Sequence, residues 1–273
     1  MIHMLGGWQG GGELLVLNTV LLVGLGFGLW GLNLITRDPS FIDSWWPLGM
    51  VVAAWTSFGF TGGGDPHRVA LTALCTAWGL RLGLYLLWRW RQHGPDRRYS
   101  TMMGHATSER GWSYARASFL LVFALQPPLQ VVTCLPVQLG QVTASGALGP
   151  LAWAGVALAA LGIFFETVGD WQLVRFKADP ANNGKVLDGG LWRYTRHPNY
   201  FGDACVWWGL WMIAADTGLV GAASLPGPIL ITVLLTRWSG VPTVEGRMRR
   251  ERPDYEAYVA RTSGFIPLPP KRA

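Results

Sequence analysis

GGLWRYTRHPNYFGDACVWWGLW, residues 189–211, sets a polar knot directly against an apolar run. The knot holds Arg193, Tyr194, Arg196, His197, Asn199, Tyr200 and Asp203. Charged and hydrogen-bonding groups at the mouth of an apolar helix are costly unless they meet water, lipid headgroups or a polar ligand. Arg, Tyr and Trp at headgroup level would serve as an interfacial anchor. An anchor gives no purpose to Asp203, which lies inside the apolar run, so the stretch points to a ligand site at the end of a membrane helix.

Composition supports the membrane setting. Half of the 273 residues are hydrophobic, only 14% are charged and 16 are tryptophan, whereas a soluble domain carries about 25% charged residues. The mean hydropathy is positive. The expected fold class is an all-α integral membrane protein, one domain over residues 1–273 with no linker and no internal repeat. Seven spans can be drawn, at 14–35, 44–60, 70–90, 115–138, 148–171, 201–220 and 226–238. Each is near the ~20 residues that a bilayer crossing needs, the second and last being short. Gln126, Pro127 and Pro128 interrupt the fourth and predict a kink there.

Loop charges predict an orientation. Arg89, Arg91, Arg97, Arg98, Arg110 and Arg116 flank the link between the third and fourth spans. Arg175, Lys177, Lys185, Arg193 and Arg196 lie between the fifth and sixth, and the tail is basic from Arg237 to Arg272. The links 133–150 and 216–228 contain no Lys or Arg. The positive-inside rule then places the basic loops and the C-terminus in the cytoplasm and the N-terminus outside, a bacterial inner membrane being the setting in a prokaryote. The N-terminus has no basic segment ahead of its apolar run, so that run is expected to stay as a helix. The net charge of +6 is spread over these loops. It suits cytoplasmic loops and anionic headgroups, and no nucleic-acid partner is expected.

Several chemistries find no support. Cys75, Cys134 and Cys205 sit in apolar runs without paired spacing, as packing thiols do. There is no HExxH, no GxSxG and no phosphate-binding loop, and no metal is expected. Gly24-x-Gly26-x-Gly28-x-x-Gly31 lies within an apolar helix and predicts close helix packing, not a dinucleotide fold.

The polar residues gather at the cytoplasmic ends of the spans. Arg81, Tyr85 and Arg89 share one helix face at i, i+4 and i+8. Asp43 stands beside Trp45 and Trp46 at the head of the second span, where it either faces water or is desolvated into a proton donor. Asp38 and Ser40 before it read as turn or cap residues. Arg97, Arg98 and Tyr99 form a basic turn suited to phosphate or headgroups. Glu166, Asp170 and Lys177 lie close to one helix face, and the two carboxylates need a cation, a hydroxyl pair or an amide against them. The tail adds Glu245, Arg249, Tyr255 and Tyr258. A cavity with both charge signs and several tyrosines fits a large zwitterionic or phosphate-bearing ligand better than an ion path, which would line a pore with one sign.

The order DWQLVRFK, GGLWRYTRHPNYFGD, RPDYEAYVARTSGFIP resembles the steroid 5α-reductase superfamily of membrane reductases, most closely its bacterial branch. The resemblance runs from about Asp43 to the end, with its specific motifs between Glu166 and Pro267. It implies a seven-helix bundle that binds NADPH from the cytosol, with the cofactor half at about 166–267, and reduces a Δ4-3-oxo steroid or comparable enone lipid taken from the bilayer. Nothing in it sets the oligomeric state; a monomer suffices. Carried over by position, Asp170 and Asn199 match cofactor-binding residues, and Asp203 stands for an acidic residue that is usually Glu. Lys177 and Lys185 stand where the human members have arginines, and Glu166 where they have asparagine. Arg81 matches an arginine of the third helix, and one of Arg97 or Arg98 matches the next. Tyr194, His197, Glu245, Arg249 and Tyr255 complete the expected cofactor set. The family's ketone pocket uses a Gln-Glu pair and a tyrosine. Here the pair is at best Ile42-Asp43 and the tyrosine position aligns with Trp78, which leaves Asp43, Tyr85 and Tyr99 as the catalytic candidates. The RHPxY motif is also similar to that of isoprenylcysteine carboxyl methyltransferases, which use S-adenosylmethionine. Asp203 and Asp170 together favour the reductase.

Overall fold

The computed structural model describes residues 7–143, 145–238 and 240–271. The first six residues and Arg272 of the basic tail lie outside them. All regular structure among the described residues is helical. In chain order the helices are α1 (Gly7–Thr36), α2 (Ile42–Phe60), α3 (Pro66–His93), α4 (Arg97–Ser108), α5 (Tyr114–Ser118), α6 (Gln126–Thr133), α7 (Leu135–Leu139), α8 (Pro150–Ala178), α9 (Pro198–Asp216), α10 (Leu219–Ala222), α11 (Pro226–Val233), α12 (Val241–Glu251) and α13 (Tyr255–Arg261).

Among the described residues, five segments are long and apolar enough to cross a membrane: Gly7–Thr36, Pro66–His93, Tyr114–Thr133, Pro150–Ala178 and Leu219–Glu251. The expected spans 44–60 and 201–220 fall on α2 and α9, helices of 19 residues each that are not among those five. Both are interior helices. α9 buries Gly202, Asp203, Val206, Trp207, Gly209, Leu210 and Ile213 along its length, so it meets protein where a peripheral helix meets lipid. The expected short span 226–238 is the middle of the longer run Leu219–Glu251.

Glycine spacing sets the closest packing in the bundle. Gly155, Gly162 and Gly169 of α8 recur every seven residues, as do Gly202 and Gly209 of α9. A Cβ on Gly155 would lie 2.5 Å from the Gly209 carbonyl oxygen, and one on Gly169 would lie 3.2 Å from Pro198. Such close backbone approach drives helix association where lipid offers no hydrophobic gain. The expected glycine run in α1 contributes less. A Cβ on Gly26 would lie 3.3 Å from Pro127, while one on Gly24, Gly28 or Gly31 would meet nothing within 4 Å.

The predicted kink takes a definite form. A π-helical turn at Phe119–Phe123 precedes α6, and the chain breaks again at Cys134 before Pro136. Buried glutamines serve backbone carbonyls around these breaks: Gln130 Nε2 donates to Trp46 O (2.9 Å), Gln138 Nε2 to Val131 O (2.8 Å) and Gln141 Nε2 to Val137 O (2.9 Å). Irregular membrane backbone needs such internal partners. All three cysteines are free and buried, and Cys75 and Cys134 both donate to Met50 O. Asp38 and Ser40 take their expected turn roles: Asp38 accepts from Ser40 N (2.9 Å), and Ser40 Oγ from Asp96 N (2.8 Å).

Candidate active site

The α8–α9 seam brings Glu166 and Asp170 against Asn199 and Asp203, and α3 closes the cluster with Arg81. Its Nη2 donates to Asp170 Oδ2 (2.9 Å), its Nη1 to Glu166 Oε1 (3.3 Å) and its Nε to Thr167 Oγ1 (3.1 Å). Asn199 Nδ2 donates to the other oxygen of Asp170 (3.1 Å). Glu166, Asp170 and Asp203 are buried, so three carboxylates surround one guanidinium. Glu166 Oε2 and Asp203 Oδ1 have no hydrogen-bond partner among the described residues. Neither have the indole N–H groups of Trp78 and Trp207, two fully buried rings packed edge to face at 5.1 Å. A buried polar atom is normally paired. The indole N–H groups are close enough to act on those carboxylates, Trp78 on both and Trp207 on Asp203, so the pocket sets donors beside acceptors and offers both to a ligand that carries hydroxyl or amide groups.

Cations gather near the C-terminal end of α8. Lys177 lies close enough to Arg89, Arg247 and Arg252 for their charges to act on it. The Arg252 Nε is buried without a partner, and its Nη1 lies 3.9 Å from where a Gly184 Cβ would sit. Clustered cations with unspent donors match the needs of phosphate. Lys185 and Arg97 are exposed on the adjoining surface.

Asp43 belongs to a second cluster, at the α2–α4 junction. It accepts from Arg98 Nη2 (2.7 Å) and from the Tyr99 hydroxyl (2.6 Å). Arg98 also reaches Asp96 (3.0 Å), the N-cap of α4. Asp43 thus lies between a guanidinium and a phenol, and Arg98 is engaged with it here, while Arg81 makes the contacts to Glu166 and Asp170. Burial first, and then the Asp43 charge, push the Tyr99 phenol well above its usual pKa. Burial would lift the Asp96 carboxyl, but its hydrogen bonds from Arg98 outweigh that and hold it low. Tyr85 lies elsewhere, with its ring stacked on Trp88 at 6.1 Å and the Arg81 guanidinium 6.0 Å from its centre.

His197, Glu245, Arg249 and Tyr255 form a third cluster, which clasps the tail. Glu245 Oε1 accepts from Arg196 Nε (2.9 Å) and pairs with His197 Nε2 (3.1 Å). Arg196 Nη1 donates to Thr262 O (2.6 Å), and Arg249 Nη1 to Glu256 (2.8 Å). Tyr255 is buried, and burial followed by the Glu245 charge pushes its phenol up to about 12. Tyr194 turns its ring to solvent and accepts Leu268 N with its carbonyl (3.0 Å). These residues hold the chain together and do not line the Arg81 cluster.

The sequence did not mark Thr167 or Trp207 as lining groups; it set Trp78 at the ketone pocket by resemblance and Arg252 only within the basic tail. The seven-residue glycine period, present in the sequence, could have aligned α8 with α9 and found Trp207, but it says nothing of Trp78 on α3. Residues 29–262 match the family model described as "Protein of unknown function (DUF1295)". No curated protein and no solved structure matches the chain.

Proposed function

We propose that this chain, a member of the DUF1295 family, is an NADPH-dependent membrane reductase acting on the C=C bond of an enone lipid, a Δ4-3-oxo steroid or its like. One observation carries the proposal: α8 holds both Asp170, bridged to Arg81 and Asn199 beside the carboxylates of Glu166 and Asp203, and, seven residues on, Lys177 with its neighbouring cations. A dinucleotide needs both kinds of surface, acceptors for ribose and amide donors and cations for phosphates.

In this scheme α2 and α9 cross the membrane with the five longer segments, which gives seven spans. The N-terminus is outside, and the basic loops and C-terminus lie in the cytoplasm, at the inner membrane in a prokaryote. Lys177, Arg89, Arg247 and Arg252 would hold the phosphates, while Asp170, Asn199, Glu166 and Asp203 would orient the sugar and amide end. When bound, NADPH would supply the hydride to the β-carbon of the enone. Tyr99, whose hydroxyl donates to Asp43 in the unliganded chain, would turn that proton from Asp43 to the substrate's ketone oxygen as charge develops there. Tyr85, beside Arg81, is the second candidate donor. The lipid would enter sideways from the bilayer.

The test is thermal stabilisation of the purified protein by NADPH and by S-adenosylmethionine, followed by turnover of a Δ4-3-ketosteroid. A ligand at 100 times its Kd raises stability by about 2.7 kcal/mol. Stabilisation by NADPH together with the saturated ketone as product supports the reductase. Stabilisation by S-adenosylmethionine alone would turn the assignment to a methyltransferase.

A further inference from the structure

His67, at the start of α3, is fully buried and joins two side chains from other elements. Its Nε2 lies 2.8 Å from Asp216 Oδ2 at the end of α9, and its Nδ1 lies 2.9 Å from Ser145 Oγ. A carboxylate only accepts hydrogen bonds, so Nε2 carries the proton and Nδ1 accepts from the serine hydroxyl. Gly149 N also donates to Asp216 Oδ2 (2.9 Å) and fixes that carboxylate. Asp65 stands 3.6 Å from Nδ1 and anchors the serine's backbone through Ser145 N (3.1 Å) and Gly146 N (3.2 Å). Ser145 itself is exposed. The sequence carries no serine-hydrolase motif; three separate elements bring the groups together.

We propose that Ser145 is an activated nucleophile toward acyl esters presented at the lipid–water interface, with His67 as its base and Asp216 as a positioning residue. An exposed hydroxyl on a base that a third group orients is the signature of such a site, although here the ring is used in the reverse order from serine proteases. Ser145 Oγ forms a bond to the acyl carbon while its proton passes to His67 Nδ1. The bond from that carbon to the leaving oxygen breaks, and the leaving alkoxide takes the proton from His67. Water then repeats the sequence, releasing the acid and restoring the serine. The imidazolium formed on the way sits between the carboxylates of Asp216 and Asp65. The N–H groups of Ser145 and Gly146 are spent on Asp65, so they give the oxyanion no help. One such donor is worth about 10²–10³ in rate, which confines the site to activated esters. Arg81 follows His67 by 14 residues on the same helix, roughly 21 Å, so the site is independent of the proposed reductase centre.

The full chain, purified in detergent, is treated with a fluorophosphonate, which serine attacks with loss of fluoride, and adducts are located by mass spectrometry. An adduct is expected on Ser145, absent from Ser145→Ala and from heat-unfolded protein, and formed at least tenfold more slowly in Asp216→Asn. Ser145→Ala keeps the backbone bonds to Asp65 and should unfold at the wild-type temperature. No adduct on Ser145, equal labelling of unfolded protein, or labelling undiminished by Asp216→Asn would overturn the proposal and leave the three residues as a tie between loop and bundle.

Discussion

Gly162 of α8 and Gly202 of α9 touch backbone to backbone: a Cβ on Gly162 would lie 2.4 Å from the Gly202 carbonyl oxygen, and one on Gly202 2.5 Å from that of Gly162. The obstacle on each side is main chain, which cannot rotate away. The same contact sets Gly202 against Glu166, whose N would lie 2.7 Å from the added Cβ. Gly202→Val should therefore cost about 3 kcal/mol or more and disturb the candidate site with the fold. Gly24→Val, at a position with nothing within 4 Å, should be neutral. Tryptophan fluorescence during thermal unfolding in detergent reads both, and a Gly202→Val protein as stable as wild type would contradict the seam.

Arg81 lies among three buried carboxylates, and its three nitrogens reach Glu166, Asp170 and Thr167. Removing one partner of a buried pair leaves uncompensated charge, at a cost of about 3–5 kcal/mol. Arg81→Met is expected to show that loss and to weaken NADPH binding at least tenfold. Arg81→Lys restores charge but not the planar fork, and should recover only part of each. Equal NADPH affinity in wild type and Arg81→Met, measured by calorimetry, would remove the cluster from the cofactor site.

Much of this arrangement was legible in the sequence because it follows from local rules. Hydropathy marked every long helix, and placing Glu166, Asp170, Asn199 and Asp203 together needed only their helical spacing and two adjacent spans. What local rules could not give was the partner of each charge. Arg98 and Arg97 are adjacent and alike in sequence, yet Arg98 pairs with Asp43 and Asp96 while Arg97 stays exposed. Asp43 beside two tryptophans suggested desolvation, because nothing nearby in sequence announced that α4 would bring a guanidinium to it. His197 and Glu245 lie 48 residues apart and meet only because the tail folds back. The division between α2 or α9 and the five longer segments is one of length and apolarity, and the two shorter helices carry buried residues along most of their length.

Tyr99 and Asp43 offer a test of the proposed chemistry that separates it from binding. Tyr99→Phe removes only the hydroxyl, and turnover should fall about 100-fold with NADPH affinity changed less than threefold. The Tyr99 pKa lies above its ordinary value of 10.0, so the phenol keeps its proton as pH rises through that value. The wild-type rate should show no loss from this group up to about pH 10. An alkaline limb near pH 8 that vanishes in Tyr99→Phe would contradict the assignment, as would equal loss of turnover and cofactor affinity.

The tail clasp predicts the opposite pattern. Arg196 donates to Glu245 Oε1 and to the Thr262 carbonyl, its own N donates to Ser263 O, and Thr195 Oγ1 donates to Phe265 O. Hydrogen bonds to charged groups are worth about 1.5–3 kcal/mol each, and the clasp side chains of Arg196 and Glu245 are only 13% and 12% exposed. Glu245→Gln keeps the shape and loses the charge that Arg196 and His197 share. It should lower the unfolding temperature and open the tail to trypsin at Arg261, while the protein that stays folded binds NADPH as wild type does. Resemblance alone would place Glu245, His197 and Tyr255 at the cofactor. A Glu245→Gln protein with unchanged unfolding temperature and tail protection, but NADPH affinity lowered tenfold, would mean that this cluster reaches the ligand after all.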